Sequence, residues 1–147
     1  MQKRINILKE VPDAYAAQSA LQQYLSKTSL TAIEKGLIEI RASQINGCAY
    51  CINMHTAEAR KHGETEQRIY LLNAWREADL YTDEERAILA LTEEMTLISK
   101  GGVSDATYAE AEKLLGQHKL AEVMMAVVTI NGWNRIAIST QLPVKKA

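Results

Sequence analysis

The sequence contains no apolar run approaching the ~20 residues that a membrane-spanning helix needs. No apolar segment follows the basic start Met1-Gln2-Lys3-Arg4, so no secretory leader is expected either. A basic excess is also missing. Lys and Arg number 17 against 18 Asp and Glu, giving a formal charge of −1, whereas a nucleic-acid partner normally requires a basic face. No Ser/Gly/Pro linker, low-complexity tract or internal repeat interrupts the chain, so a single domain over residues 1–147 is the simplest reading. A chain of this length buries roughly 70% of its unfolded surface without a disulfide framework or structural metal. There is no G-x-x-x-x-G-K-[ST], no G-x-G-x-x-G and no quartet of metal ligands, and no metal, haem or nucleotide cofactor is expected. The default location is cytoplasmic. Reducing conditions there make the two cysteines of the chain, Cys48 and Cys51, poor candidates for a static staple.

What the sequence does contain is helical signal from end to end, with no period-two alternation to suggest a sheet, so the fold class is all-α. A first helix is expected over Asp13 to Lys27, capped by Asp13, with Ala17, Leu21 and Leu25 at helical spacing. Thr31 and Glu34 form a T-x-x-E capping box opening a helix to about Ile45, which Asn46-Gly47 stops. Cys48 to His62 contains no Gly or Pro, and Gly63 stands where a left-handed cap belongs. Thr65 with Glu66 begins a further helix through Trp75. A second box at Thr82 and Glu85 opens Glu84 to Ser99, ended by Gly101-Gly102. Ser104 caps Asp105 to Leu115. The longest apolar pattern runs from His118 to Thr140, with a break or bend expected at Asn131-Gly132, and the tail Pro143 to Ala147 is expected to fray.

The two cysteines form a C-x-x-C at the start of a helix, followed four residues later by His55. At ~100° per residue the three side chains fall within about 60° of one another on one helical face. Free amides and the positive dipole end at a helix N-terminus favour the thiolate, which is the reactive form. An imidazole one turn away can take and return the thiol proton. The second cysteine can then trap a sulfenic acid as a disulfide before it oxidises irreversibly. Two alternatives stand beside redox chemistry. Zinc would use Cys48, Cys51 and His55 but lacks the fourth ligand of a structural site. Plain packing of two small hydrophobes would leave His55 merely satisfied. The spacing does not say which cysteine attacks first.

The run Arg41-Ala42-Ser43-Gln44-Ile45-Asn46-Gly47-Cys48-Ala49-Tyr50-Cys51, with Met54-His55-Thr56, resembles the AhpD-like (alkylhydroperoxidase D) branch of the carboxymuconolactone decarboxylase superfamily. The resemblance continues through Ala59-Arg60-Lys61-His62-Gly63-Glu64-Thr65, Leu72-Asn73-Ala74-Trp75-Arg76 and Ile130-Asn131-Gly132-Trp133-Asn134-Arg135. It implies an all-helical fold, homo-oligomers that are commonly trimers or hexamers, and reduction of a hydroperoxide through the C-x-x-C pair. By that resemblance Cys51 is the peroxidatic cysteine, Cys48 the resolving cysteine and His55 part of a proton relay, with an external dithiol as reductant. The decarboxylases themselves lack the cysteine pair, so ring-opening chemistry carries little weight. A non-catalytic redox sensor or interaction protein, using the same disulfide, is the alternative function.

Two relay groups that the resemblance implies are absent. The glutamate expected twelve residues before the first cysteine is replaced by Gly36, and the histidine expected before the second is Tyr50. Glu39, one turn on and about 60° around the helix, is the best substitute by geometry, whereas Glu34 points ~160° away and belongs to its capping box. Glu39 read without a function is a solvated or interface carboxylate, and Tyr50 a packed aromatic. His62 reads as a partner of the helix C-terminal dipole, and His118 is given no role. Glu77, Asp79, Asp83, Glu84 and Glu85 read as solvated helix ends. Met124, Met125, Val127, Val128 and Ile130 read as core or subunit-interface packing, and Trp75 and Trp133 as interior or interface anchors.

Overall fold

The computed structural model of the protein describes residues 4–144, all helix and connecting turn. A short α1 (Ile7–Glu10) leads into α2 (Pro12–Tyr24), and α3 (Ala32–Asn46), α4 (Ala49–Lys61), α5 (Glu66–Leu71), α6 (Asp83–Thr96) and α7 (Asp105–Thr140) follow. Both T-x-x-E boxes form: Thr31 accepts from the Glu34 amide and Thr82 from the Glu85 amide, each glutamate reaching back to its cap. Gly47 then adopts φ +71°, a conformation that ends α3 at almost no steric cost. The Asp13 cap does not form. Pro12 takes the first helical position instead, where its missing N–H costs nothing, and Val11 precedes it without a side-chain cap.

The long C-terminal pattern departs from expectation at its middle. Gly116 (φ 74°, ψ 160°) separates the two helical stretches of α7, as the expected ends at Leu115 and His118 require, but α7 continues straight through Asn131-Gly132. The Asn131 amide is satisfied within the helix and across to α6, donating to the Val127 carbonyl and to Thr96 Oγ1. Gly132 serves the approach of α2. A Cβ there would lie 2.7 Å from Gln18 Nε2, whose amide donates to the Thr129 carbonyl. Beyond α7, Pro143 and Val144 are non-helical and exposed, while residues 145–147 of the expected tail lie outside the described residues.

Helix α3 is buried nearly all round and packs against α4, α6 and α7. Ile38 and Ala42 join Ile88, Leu91, Val123 and Val127 in one core, while Leu37 and Ile40 join Ala59, Leu72 and Leu89 in a second. A helix apolar on opposite faces fills the middle of the molecule. Any polar side chain it carries there requires a specific partner. Trp75 is an interior anchor, donating to Glu93, which also receives Arg41 and Arg76. The acidic cluster is only partly solvated. Glu85 is buried, held by Arg68 at 2.7 Å, because the capping box turns its side chain inward.

Candidate active site

Cys48 is the N-cap of α4, and its sulfur accepts the Cys51 amide at 3.3 Å. Cys51 and His55 then fall on the inward face of the same helix. The cysteines are joined as a disulfide, with Cα atoms 5.3 Å apart, and both residues are almost fully buried beside Tyr50 and Ala137. What holds this segment is polar. Asn46, two residues before Cys48, donates to Asn131 Oδ1 and Asn134 Oδ1, and the fully buried Asn134 donates to Ser43. The end of α3 is thereby tied to α7 at the point where the cysteine motif begins.

Glu39 is buried on α3, and its Oε2 lies 3.0 Å from Nδ1 of the equally buried His55. Gln22 of α2 donates to the other oxygen of Glu39 at 3.1 Å. Glu58, three residues along α4 from His55, brings Oε2 to 3.7 Å from the same ring nitrogen. Neither carboxylate is aligned with the ring well enough for a hydrogen bond. Glu39 thus stands at the imidazole, not in solvent or at an outer face. At Gly36, where the resemblance implies a glutamate, a Cβ would meet the Ala59 Cβ at 3.3 Å. The backbones of α3 and α4 approach closely there, and the acid comes from the next turn of α3.

Two cavities meet at His55. One, of about 360 Å³, is lined by Cys51 and His55 with Tyr15, Tyr50, Trp133 and Ile136 among its walls. Tyr15 and Trp133 stand edge to face, centroids 5.2 Å apart. The other, a cleft of about 220 Å³, is lined by Glu39, His55, Glu58 and His62 beside Gly36. Cys51 faces the first cavity and Cys48 lines neither. Imidazole and carboxylates therefore separate an aromatic-walled cavity at the sulfur from a polar cleft.

The expected trio Cys48, Cys51 and His55 is brought together, with Glu39 added. Tyr50 packs against the cysteine pair as an aromatic wall. His62 caps α4 through its backbone amide while its side chain lines the cleft. His118 pairs with Glu122 at 3.3 Å, a partner one turn along α7. Glu58, Gln22, Tyr15 and the cavity role of Trp133 escaped the sequence reading. Glu58 alone had a local signal, its i,i+3 spacing from His55.

Residues 12–94 match the carboxymuconolactone decarboxylase family. The uncharacterized protein YdfG of Bacillus subtilis (strain 168) is 40% identical over 139 residues, 95% of each chain. A crystal structure of Agrobacterium tumefaciens ATU0492, a protein of unknown function provisionally named an antioxidant defence protein AhpD, is 36% identical. It superposes with a TM-score of 0.94 over 99% of this chain and 100% of that one. The debrominase Bmp8 shares the fold at 17% identity, with a TM-score of 0.83 over 94% of this chain and 74% of its own. The chain therefore belongs to the carboxymuconolactone decarboxylase family, in its AhpD-like branch.

Proposed function

We propose that the protein is a thiol-dependent peroxidase that reduces organic hydroperoxides, with Cys51 as the attacking cysteine, Cys48 as the resolving one, and His55 with Glu39 as the proton relay. The observation that carries this reading is the asymmetry of the pair: Cys51 lines the cavity together with His55, and Cys48 does not. In the reduced protein the Cys51 thiolate attacks the terminal oxygen of the hydroperoxide. The O–O bond breaks, the alcohol leaves with a proton returned through His55, and Cys51 becomes a sulfenic acid. The Cys48 thiolate displaces hydroxide from that sulfur, which leaves as water once protonated, and the Cys48–Cys51 disulfide forms.

Reduction runs through the same opening. An external dithiol attacks the sulfur of Cys51 and Cys48 departs as a thiolate, stabilised by the Cys51 amide that its sulfur already accepts. The second thiol of the donor then releases Cys51. Aromatic walls around the sulfur favour a hydroperoxide with an apolar body, since burying apolar surface adds roughly 25 cal/mol per Å². The reading is tested by following cumene hydroperoxide and hydrogen peroxide consumption with dithiothreitol as reductant. Wild type is expected to turn over, faster with the organic peroxide, and Cys51→Ser to be inactive. Equal consumption by both proteins overturns the peroxidase and leaves the redox-sensor alternative.

A further inference from the structure

Two carboxylates converge on one ring nitrogen. Glu39 is buried with Oε2 3.0 Å from His55 Nδ1, and among the described residues no lysine or arginine nitrogen comes within 4.0 Å of its carboxylate; Lys35, which lines the same cleft, gives its ammonium to the Leu25 carbonyl. Glu58 adds a second negative charge to the same nitrogen. His55 Nδ1 is itself the one buried side-chain nitrogen or oxygen among the described residues without a hydrogen bond. A buried ring nitrogen 3.0 and 3.7 Å from two carboxylates and hydrogen-bonded to neither has the surroundings of a metal ligand.

We propose that Glu39, His55 and Glu58 form a binding site for one divalent transition ion of the zinc class, on the cleft side of the imidazole. Their donor atoms lie within 4.8 Å of one another, with separations of 3.0 and 3.7 Å from Nδ1 to the two carboxylates. Metal–ligand bonds of roughly 2.0–2.2 Å place neighbouring donors about 3–3.5 Å apart, so the fit needs only a small swing of Glu58. That side chain is 58% exposed and free to make it. The cleft of about 220 Å³ supplies an entry path and room for the waters that complete the coordination. An imidazole in the set selects borderline ions such as Zn²⁺ and Co²⁺ over Mg²⁺ and Ca²⁺. This is a different ligand set from Cys48, Cys51 and His55, because disulfide-bonded sulfurs offer no thiolate.

The test uses the full-length oxidised protein, titrated with Zn²⁺ by calorimetry and with Co²⁺ by visible absorption, with Mg²⁺ for comparison. One Zn²⁺ and one Co²⁺ are expected to bind per chain. Glu58→Gln, a surface change, is expected to keep the wild-type circular dichroism and melting temperature while weakening both at least about tenfold. The proposal is overturned by no saturable Zn²⁺ binding below about 1 mM, by equal affinity in Glu58→Gln, by Mg²⁺ binding as tightly, or by binding that appears only after the disulfide is reduced. The readout contains no peroxide, so its failure leaves the peroxidase reading intact, and loss of peroxidase activity leaves the metal site untouched.

Discussion

At the residue scale the informative position is Gly36, where the resemblance implies a glutamate that the sequence does not carry. Gly36 leaves one turn of the helix without the implied acid, and Glu39 on the next turn stands 3.0 Å from His55. Helical periodicity made Glu39 legible as a candidate because three residues leave two side chains on neighbouring sectors. It did not reveal burial, since a carboxylate reads the same in sequence whether it meets water or an imidazole. In the proposed mechanism Glu39 acts through His55, not on the peroxide, as a positioning residue. Glu39→Gln is expected to slow the oxidation of Cys51 by about tenfold to a hundredfold, no more than the low end of the roughly 10²–10⁴-fold that a direct proton-transfer group contributes, as fits a residue acting through another. It should also alter the pH dependence of that rate, measured by stopped-flow fluorescence. An unchanged rate and pH profile remove Glu39 from the relay.

At the scale of elements, caps were the most legible feature and buried polar contacts the least. Thr31 with Glu34, Thr82 with Glu85, Gly47 and Gly63 announced helix ends through local chemistry, and those helices form. Asn131 and Gly132 look like a break for the same local reasons, yet both serve partners far along the chain: Asn131 bonds to Asn46 and Thr96, and Gly132 admits Gln18. Tertiary packing overrides propensity there. Asn134 is the keystone of that network, fully buried and bonded to both Asn46 and Ser43. Asn134→Ala takes its donor from the buried hydroxyl of Ser43 and leaves the Asn46 amide with Asn131 alone, and is expected to cost about 1–3 kcal/mol in urea unfolding. A cost below about 0.5 kcal/mol would show that the link between α3 and α7 is replaceable.

At the scale of the whole molecule, α3 threads the centre of the fold, and carboxylates held by cations on and around it predict acid sensitivity. Glu93 receives Arg41 and Trp75 at 2.8 and 2.9 Å, together with Arg76, and Glu34 receives Lys119 at 2.6 Å. Burial pushes both carboxyls up, but these hydrogen bonds outweigh it and hold each below the ordinary value of 4.5. A folded-state pKa below the unfolded one contributes stability that is fully present above about pH 4.5 and is lost as the pH falls through the folded value. Melting temperature is therefore expected to hold from pH 7 to about 5 and to drop below about 4.5. Glu93→Gln should flatten that drop, and an identical acid profile in the variant would contradict the assignment.

The same scale sets what the sequence could not carry about the site. The trio on α4 was legible because one helix presents all of it. The aromatic cavity was not, since Tyr15, Tyr50 and Trp133 come from three separate helices and meet only in the fold. Cys51 lines that cavity and Cys48 does not, and the division of labour between the cysteines is the central claim. The most direct measurement treats reduced Cys48→Ser and Cys51→Ser with one equivalent of cumene hydroperoxide in the presence of dimedone, followed by peptide mass spectrometry. Cys48→Ser should carry a dimedone adduct on Cys51 within the mixing time, while Cys51→Ser leaves Cys48 unmodified. An adduct forming on Cys48 as fast as on Cys51 would contradict the account.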